Sequence, residues 1–203
     1  MKVVVFDCET TGLRAKDEVV QFSALLLDES LRLERVYNFY CNTQVPFEPK
    51  ASEITHLDAD NIRILSNGKF FEDYYWVSEL FKLKDVIWCG YNVSFDIRKI
   101  NSTLENNGLS PHNFGNKTVT LNKTDGTYYF DVMQLCRDIE RNTYSISLDQ
   151  CVSKLPYSER QLTEMYLKLQ RIANMQTTTK FHNSLWDSMV TWLYLAKYKG
   201  RCC

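Results

Sequence analysis

Apolar positions fall into short β-branched runs over the first forty or so residues of the chain and into helical spacing afterwards. Val3-Val4-Val5-Phe6 is too short for a helix and dense enough for a buried strand. Glu18–Leu27 is similarly rich in apolar and β-branched residues, and Leu33–Tyr40 alternates, with Asp28-Glu29-Ser30 as a polar turn between them. Three strands joined by short turns predict an antiparallel meander with Val3–Asp7 inside it. Pro46 and Pro49 mark a loop, and Ala51–Leu57 predicts a short segment helical at one end. Within Phe70–Leu83, the spacing of Phe71, Trp76, Val77, Leu80 and Phe81 predicts a helix. Val86–Gly90 reads as a second buried strand. A helix follows, with Ser94 as its cap, Ile97, Ile100 and Leu104 on one face, and Gly108 as its stop. Lys117–Val132 reads as a hairpin turning at Thr124-Asp125-Gly126. Helices are predicted at Met133–Arg141, Leu148–Lys154 and Glu159–Met175, with a last one after Phe181-His182-Asn183-Ser184.

A meander followed by strand–helix units predicts an α/β fold, a mixed sheet flanked by helices, with function at the strand ends. At 203 residues, with no internal repeat and no long linker, one domain over residues 1–203 is expected. No run of eighteen apolar residues predicts a membrane span. A strand starting directly after Met1 leaves no room for a signal peptide, so a cytoplasmic location is expected. The seven cysteines are scattered without Cys-x-x-Cys spacing, which argues against a zinc site and fits a reducing compartment. A formal net charge of −1 does not suit a protein that coats long nucleic acid. The basic groups are local: Arg14 and Lys16, Arg98 and Lys99, and Lys180.

The candidate chemistry begins at Asp7-Cys8-Glu9. Side chains two apart on a strand face the same way, so the two carboxylates point together and Cys8 points to the opposite face. Like charges about 4 Å apart repel by roughly 4 kcal/mol at an effective dielectric near 20. A hard divalent cation with oxygen ligands relieves that cost. Asp96 falls in the first turn of the helix after the second buried strand, where the helix dipole alone would favour it. Asp187 shares a largely apolar face with Val190, Thr191 and Tyr194 and needs a partner, a proton or a metal; alternatively, Ser184-x-x-Asp187 is a capping-box variant. His182, just before that helix, is the best general base in the chain if it stands beside a metal cluster.

Taken together, Phe6-Asp7-Cys8-Glu9-Thr10-Thr11-Gly12-Leu13, Tyr91-Asn92-x-x-Phe95-Asp96 and His182-Asn183-Ser184-Leu185-Trp186-Asp187-Ser188 resemble the DEDDh branch of the 3′→5′ exonucleases. That group contains the proofreading subunit of bacterial replicative DNA polymerase and ribonuclease T. The resemblance runs from Val3 to about Lys199. It implies an RNase H-like fold with a five-stranded sheet and helices on both faces. It also implies two Mg²⁺ or Mn²⁺ ions held by Asp7, Glu9, Asp96 and Asp187, with His182 activating the attacking water. Two such ions can serve the attacking and the leaving oxygen of an in-line displacement. The implied substrate contacts are Thr10, Thr11, Gly12, His56, Asn92 and Phe95. The implied partner is the 3′ end of single-stranded DNA, or of RNA, with a polymerase as a further partner. Two positions depart from the family pattern: Thr55-His56-Leu57 lacks the usual glycine, and Tyr91 stands where a histidine is common. The competing class is an end-binding or polymerase-accessory module without turnover, which the complete carboxylate set disfavours.

Overall fold

The computed structural model describes residues 1–141, 146–175 and 182–202. The meander forms as the alternation predicts: β1 (Lys2–Thr10), β2 (Val19–Leu27) and β3 (Leu33–Tyr40) pair antiparallel in turn. Short helices follow, α1 (Pro49–Thr55), α2 (Ala59–Leu65) and α3 (Phe71–Val77). Pro49 opens the first of them, where a missing N–H costs nothing. β4 (Val86–Gly90) adds to the free side of β1 in parallel and leads into α4 (Val93–Asn106). β5 (Asn116–Thr118) and β6 (Tyr128–Asp131) complete the sheet. Beyond them come α5 (Val132–Glu140), α6 (Leu148–Val152), α7 (Glu159–Ile172), α8 (Ser184–Lys197) and the short α9 (Lys199–Cys202). Among the described residues no helix is long and apolar enough to cross a membrane.

The strand order is β3-β2-β1-β4-β6-β5, six strands where five were expected. The additional strand comes from the predicted hairpin at 117–132, which is not a hairpin: β5 and β6 run parallel, Asn116 opposite Tyr128 and Thr118 opposite Phe130. The intervening chain is carried back to the start of the sheet by tethers elsewhere. The Leu121 N–H donates to the carbonyl of Cys202 (2.7 Å), and the Gly126 N–H donates to Asp85 Oδ1 (2.7 Å). The single helix expected over Phe70–Leu83 is also corrected. It breaks at Ser78, whose Oγ accepts the Leu80 N–H (3.2 Å) and starts a 3-10 turn, Glu79–Lys82. The cap of α4 is Asn92, not Ser94. Asn92 adopts a left-handed φ of 59°, and its N–H is received by Asp131 Oδ1 (3.1 Å). Gly108 ends α4 as predicted, at φ 74°, with its N–H on Glu105 and that of Leu109 on Leu104.

The sheet separates two cores. On one face Val4, Phe6, Phe22 and Trp88 pack with Ile100 and Leu104 of α4 and with Phe71 and Phe81. On the other, Val3, Val5, Leu25, Leu27 and Ile87 pack with Leu162 and Tyr166 of α7 and with Met189, Val190 and Leu193 of α8. The strand period therefore sends Asp7 and Glu9 to the α8 side, while Cys8 joins the α4-side core.

Candidate active site

Asp7 and Glu9 end the apolar run of β1, and Asp187 reaches them from the first turn of α8. One carboxylate oxygen from each of the three lies within 4.8 Å of the others, and all three side chains are half-buried. Asp96 approaches from the opposite face of the sheet, in the first turn of α4, and is 2% exposed. Its Oδ1 accepts from the backbone N–H of Cys8 (3.3 Å) and from the Cys8 thiol (3.1 Å). Asp96 thus braces the end of β1 from below, and the close trio is Asp7, Glu9 and Asp187.

The four carboxyls nevertheless act on one another. Burial, then the charges of Asp96, Asp187 and Glu9, raise Asp7 well above the usual carboxylate range. Burial and then Asp96 push Glu9 up to about 8. Asp96 is raised to about 7, chiefly by burial. Asp187 is raised well above its ordinary value by burial, then by Glu9, Asp149 and Asp96. A cluster that favours protons in this way offers hard oxygen donors at close range, and a divalent cation would replace those protons. The donor set fits Mg²⁺ or Mn²⁺, with no sulfur or imidazole in the close trio.

His182 occupies the turn just ahead of α8, exposed, with a left-handed φ of 50°. The residue after it, Asn183, is buried and is the N-cap of α8, its Oδ1 accepting the Leu185 N–H (3.2 Å). This settles the cap in favour of Asn183. Ser184 instead bonds Ser23 through its hydroxyl (2.7 Å). Lys180, on the approach to His182, lies outside the described residues.

Beside Glu9 opens a cavity of about 190 Å³ lined by Thr10, Gly12, Leu13, Ile54 and Phe95 among others. Three of the expected substrate contacts are therefore at this cleft: Thr10, Gly12 and Phe95. A Cβ on Gly12 would sit 2.6 Å from the side-chain ends of Asp17 and Glu48, which would have to shift to admit it. The structure does not bring the other three there. Thr11 is fully buried, its hydroxyl accepting the Glu18 N–H (3.1 Å) to close the turn. His56 is the exposed left-handed cap of α1, and exposed Asn92 starts α4; neither lines the cleft. Leu13, which closes the first motif, is 77% exposed at this cleft, and Ile54, at the head of the segment whose resemblance implies contact with the terminal nucleotide, is 38% exposed; neither was named as a substrate contact from the sequence. Nearby, Arg14 is paired with Glu48, and the Lys99 ammonium is buried against the Arg14 carbonyl (2.5 Å). Tyr91 donates its hydroxyl to the carbonyl of Ile146.

The fold is similar to solved structures of exonuclease I. E. coli exonuclease I in complex with a dT13 oligonucleotide superposes with a TM-score of 0.68 at 18% identity, over 98% of this chain and 41% of that one. The zinc-bound form of the E. coli exonuclease I–ssDNA complex gives 0.66 at 17% identity, over 98% and 41%. Exonuclease I from Methylocaldum szegediense gives 0.63 at 19%, over 98% and 41%. This chain thus spans about two fifths of the length of those proteins. No curated protein matches it by sequence. The sequence pattern that defines the RNase T exonuclease family matches residues 4–194, nearly the whole chain. With that match in place, the chain belongs to the RNase T exonuclease family, and its sheet topology and carboxylate cluster agree with that membership.

Proposed function

We propose that this chain hydrolyses the terminal phosphodiester bond at the 3′ end of single-stranded nucleic acid, DNA in preference to RNA, and releases nucleoside 5′-monophosphates. The observation that carries the reading is the convergence of Asp7, Glu9 and Asp187 within 4.8 Å at a strand end that opens onto an apolar-walled cleft. The exonuclease I structures carrying a dT13 oligonucleotide and ssDNA support the choice of substrate.

Asp7, Glu9 and Asp187, with Asp96 behind them, would hold two Mg²⁺ or Mn²⁺ ions. Bound there, the ions supply Lewis acidity and make water nucleophilic at neutral pH. Leu13, Ile54 and Phe95 offer apolar faces to the terminal nucleotide and exclude water around it. His182 takes the proton of the attacking water as general base. The water oxygen bonds to the terminal phosphorus as the bond from phosphorus to the 3′ oxygen of the penultimate nucleotide breaks; that oxygen takes a proton from solvent, and His182 returns to solvent the proton it took.

The test is release of mononucleotides from end-labelled single-stranded DNA, RNA and duplex DNA by pure protein with Mg²⁺, Mn²⁺ or EDTA. Metal-dependent loss from linear single strands is expected, with circles resistant and a 3′-phosphate inhibitory. Efficient cutting of circles would overturn the end recognition. Tight end binding without turnover in either metal would overturn the hydrolysis.

A further inference from the structure

The two carboxylates of β1 have direct cross-strand neighbours on β2: Asp7 lies opposite Ser23, and Glu9 opposite Gln21. Both neighbours are wholly buried, Gln21 0% and Ser23 0% exposed. A buried amide in the middle of a strand is costly unless its groups are bonded. Here they are, and the bonds run to the start of α8. Gln21 Nε2 donates to Asn38 Oδ1 on β3 (2.8 Å) and to Asn183 Oδ1 (3.5 Å), while Asn183 Nδ2 donates back to Gln21 Oε1 (3.3 Å). Ser23 Oγ gives its proton to Asn38 Oδ1 (2.8 Å), which leaves Ser184 Oγ as the donor in the 2.7 Å Ser23–Ser184 pair. One turn on, Ser188 Oγ donates to the Ser23 carbonyl (3.3 Å). From α7, the Tyr166 hydroxyl donates to Asn183 Oδ1 (3.1 Å).

The bonds from Gln21 and Tyr166 converge on the residue that follows His182. A left-handed φ is disfavoured for any side chain with a Cβ and persists only where the surroundings hold it. The exposed histidine has a buried neighbour clamped from β2 and α7, and the clamp stands on the strand paired with the one that carries Glu9. We propose that Gln21 and Asn183 form a positioning latch: their reciprocal amide pair fixes the His182 turn and the entry of α8, and so sets His182 against the Asp7–Glu9 strand. Neither amide touches substrate. The inference rests on His182 being the base of the proposed reaction.

The experiment compares wild type, Gln21→Met, Asn183→Ser, His182→Ala and the Gln21→Met/His182→Ala double variant. Single-turnover release of the 3′ nucleotide from a single-stranded DNA oligonucleotide in Mg²⁺ is read beside end affinity in Ca²⁺ and a thermal melt. Gln21→Met keeps the size of the side chain and loses the latch. Asn183→Ser keeps a hydroxyl able to cap α8 and loses the Nδ2 donor. Each single latch variant should slow release by roughly 10- to 100-fold, the cost of a catalytic group displaced by about 1 Å, with end affinity retained. In the His182→Ala background, Gln21→Met should add no more than about twofold, because the group it positions is gone. Equal slowing in both backgrounds, or wild-type rates in Gln21→Met and Asn183→Ser, overturns the latch alone. A wild-type rate in His182→Ala overturns the assignment of the base and the latch with it. Should Gln21→Met melt below the assay temperature, Asn183→Ser with its own His182→Ala double variant decides by the same criteria.

Discussion

On the α4 side of the sheet, Phe6 meets Trp88 edge-on at 5.5 Å between centroids, Phe81 stacks on Trp88 at 5.9 Å, and Phe22 lies between Phe39, Phe71 and Phe81. On the α8 side, the same strands begin apolar, at Val3, Val5, Leu25 and Leu27, and then turn polar toward one end, at Asp7, Glu9, Gln21 and Ser23. Aromatic packing rigidifies the first face, at the cost of one buried indole N–H, that of Trp88, without a hydrogen-bond partner. The second face carries groups that are unfavourable where they stand unless something completes them, amides by amides and carboxylates by protons or cations. The strand end is therefore the place where stability and function part company, and substitutions on the two faces should separate them.

The largest separation is expected between Asp7→Asn and Phe81→Ala. Loss of one carboxylate from the trio should lower single-turnover excision by about 10³-fold or more, equivalent to about 4 kcal/mol of Lewis-acid stabilisation. The metal-free melting temperature of Asp7→Asn should rise, because one member of a mutually repelling cluster is gone. Phe81→Ala should lose about 3–5 kcal/mol of stability with its rate nearly unchanged, measured well below its melting point. A destabilised Asp7→Asn would make that side chain structural and collapse the comparison.

How far the sequence could be read follows the same division. The apolar periods of β1 to β4, α4 and α8 are local and were visible, and so was the candidate trio Asp7, Glu9 and Asp187 that the fold brings together. What was hidden depends on residues distant in the chain. The turn signal Thr124-Asp125-Gly126 is a valid local cue, but tethers from Leu121 to Cys202 and from Gly126 to Asp85 outweigh it and make β5 and β6 parallel. Asn183 could be read as a cap; its bond to Gln21, 162 positions away, could not. Thr11 looked like part of the site because it sits in the motif, whereas its hydroxyl closes the turn to Glu18. Asp96 was placed in the first turn of its helix, but its approach from the opposite face onto Cys8 depends on how α4 packs against the sheet.

A smaller effect is expected in the response of the α8 face to alkali. A carboxyl whose folded pKa is raised keeps its proton in the folded chain at a pH where the unfolded chain has released it, so stability falls as pH rises. The window runs from the ordinary carboxylate range up to about 7 for Asp96 and about 8 for Glu9. In EDTA the melting temperature should fall steadily between about pH 5 and pH 8. Mg²⁺ should flatten that fall, since the cation binds the deprotonated form and only the folded chain assembles the site. Asp7→Asn should show a shallower slope in EDTA than wild type. Identical slopes would mean that the cluster does not govern this limb.

The smallest effect should come from the aromatic face, with the opposite sign. His112 lies edge-on to Trp88, Phe81 and Phe114, with Nδ1 3.3 Å from the Tyr75 hydroxyl. Burial lowers its pKa from 6.5 to about 4, so it is a neutral ring built into the core. The unfolded chain takes up this proton first on acidification, and the stability due to a neutral His112 is lost as pH falls from 6.5 toward 4. The alkaline limb set by the carboxylates runs the other way and overlaps this window, so the His112 contribution is read as the difference between wild type and a variant that lacks the imidazole. At about 2–4 °C per kcal/mol for a chain of this size, that loss is large enough to read in a melt. His112→Phe removes the titrating group and keeps a ring against Trp88, at the cost of the Tyr75 contact. As pH falls from 6.5 toward 4 its melting temperature should gain on that of wild type, with the excision rate untouched. A melting temperature of His112→Phe that runs parallel to that of wild type over this range would show that the proton is taken up elsewhere, and the aromatic face would then have no part in the pH response.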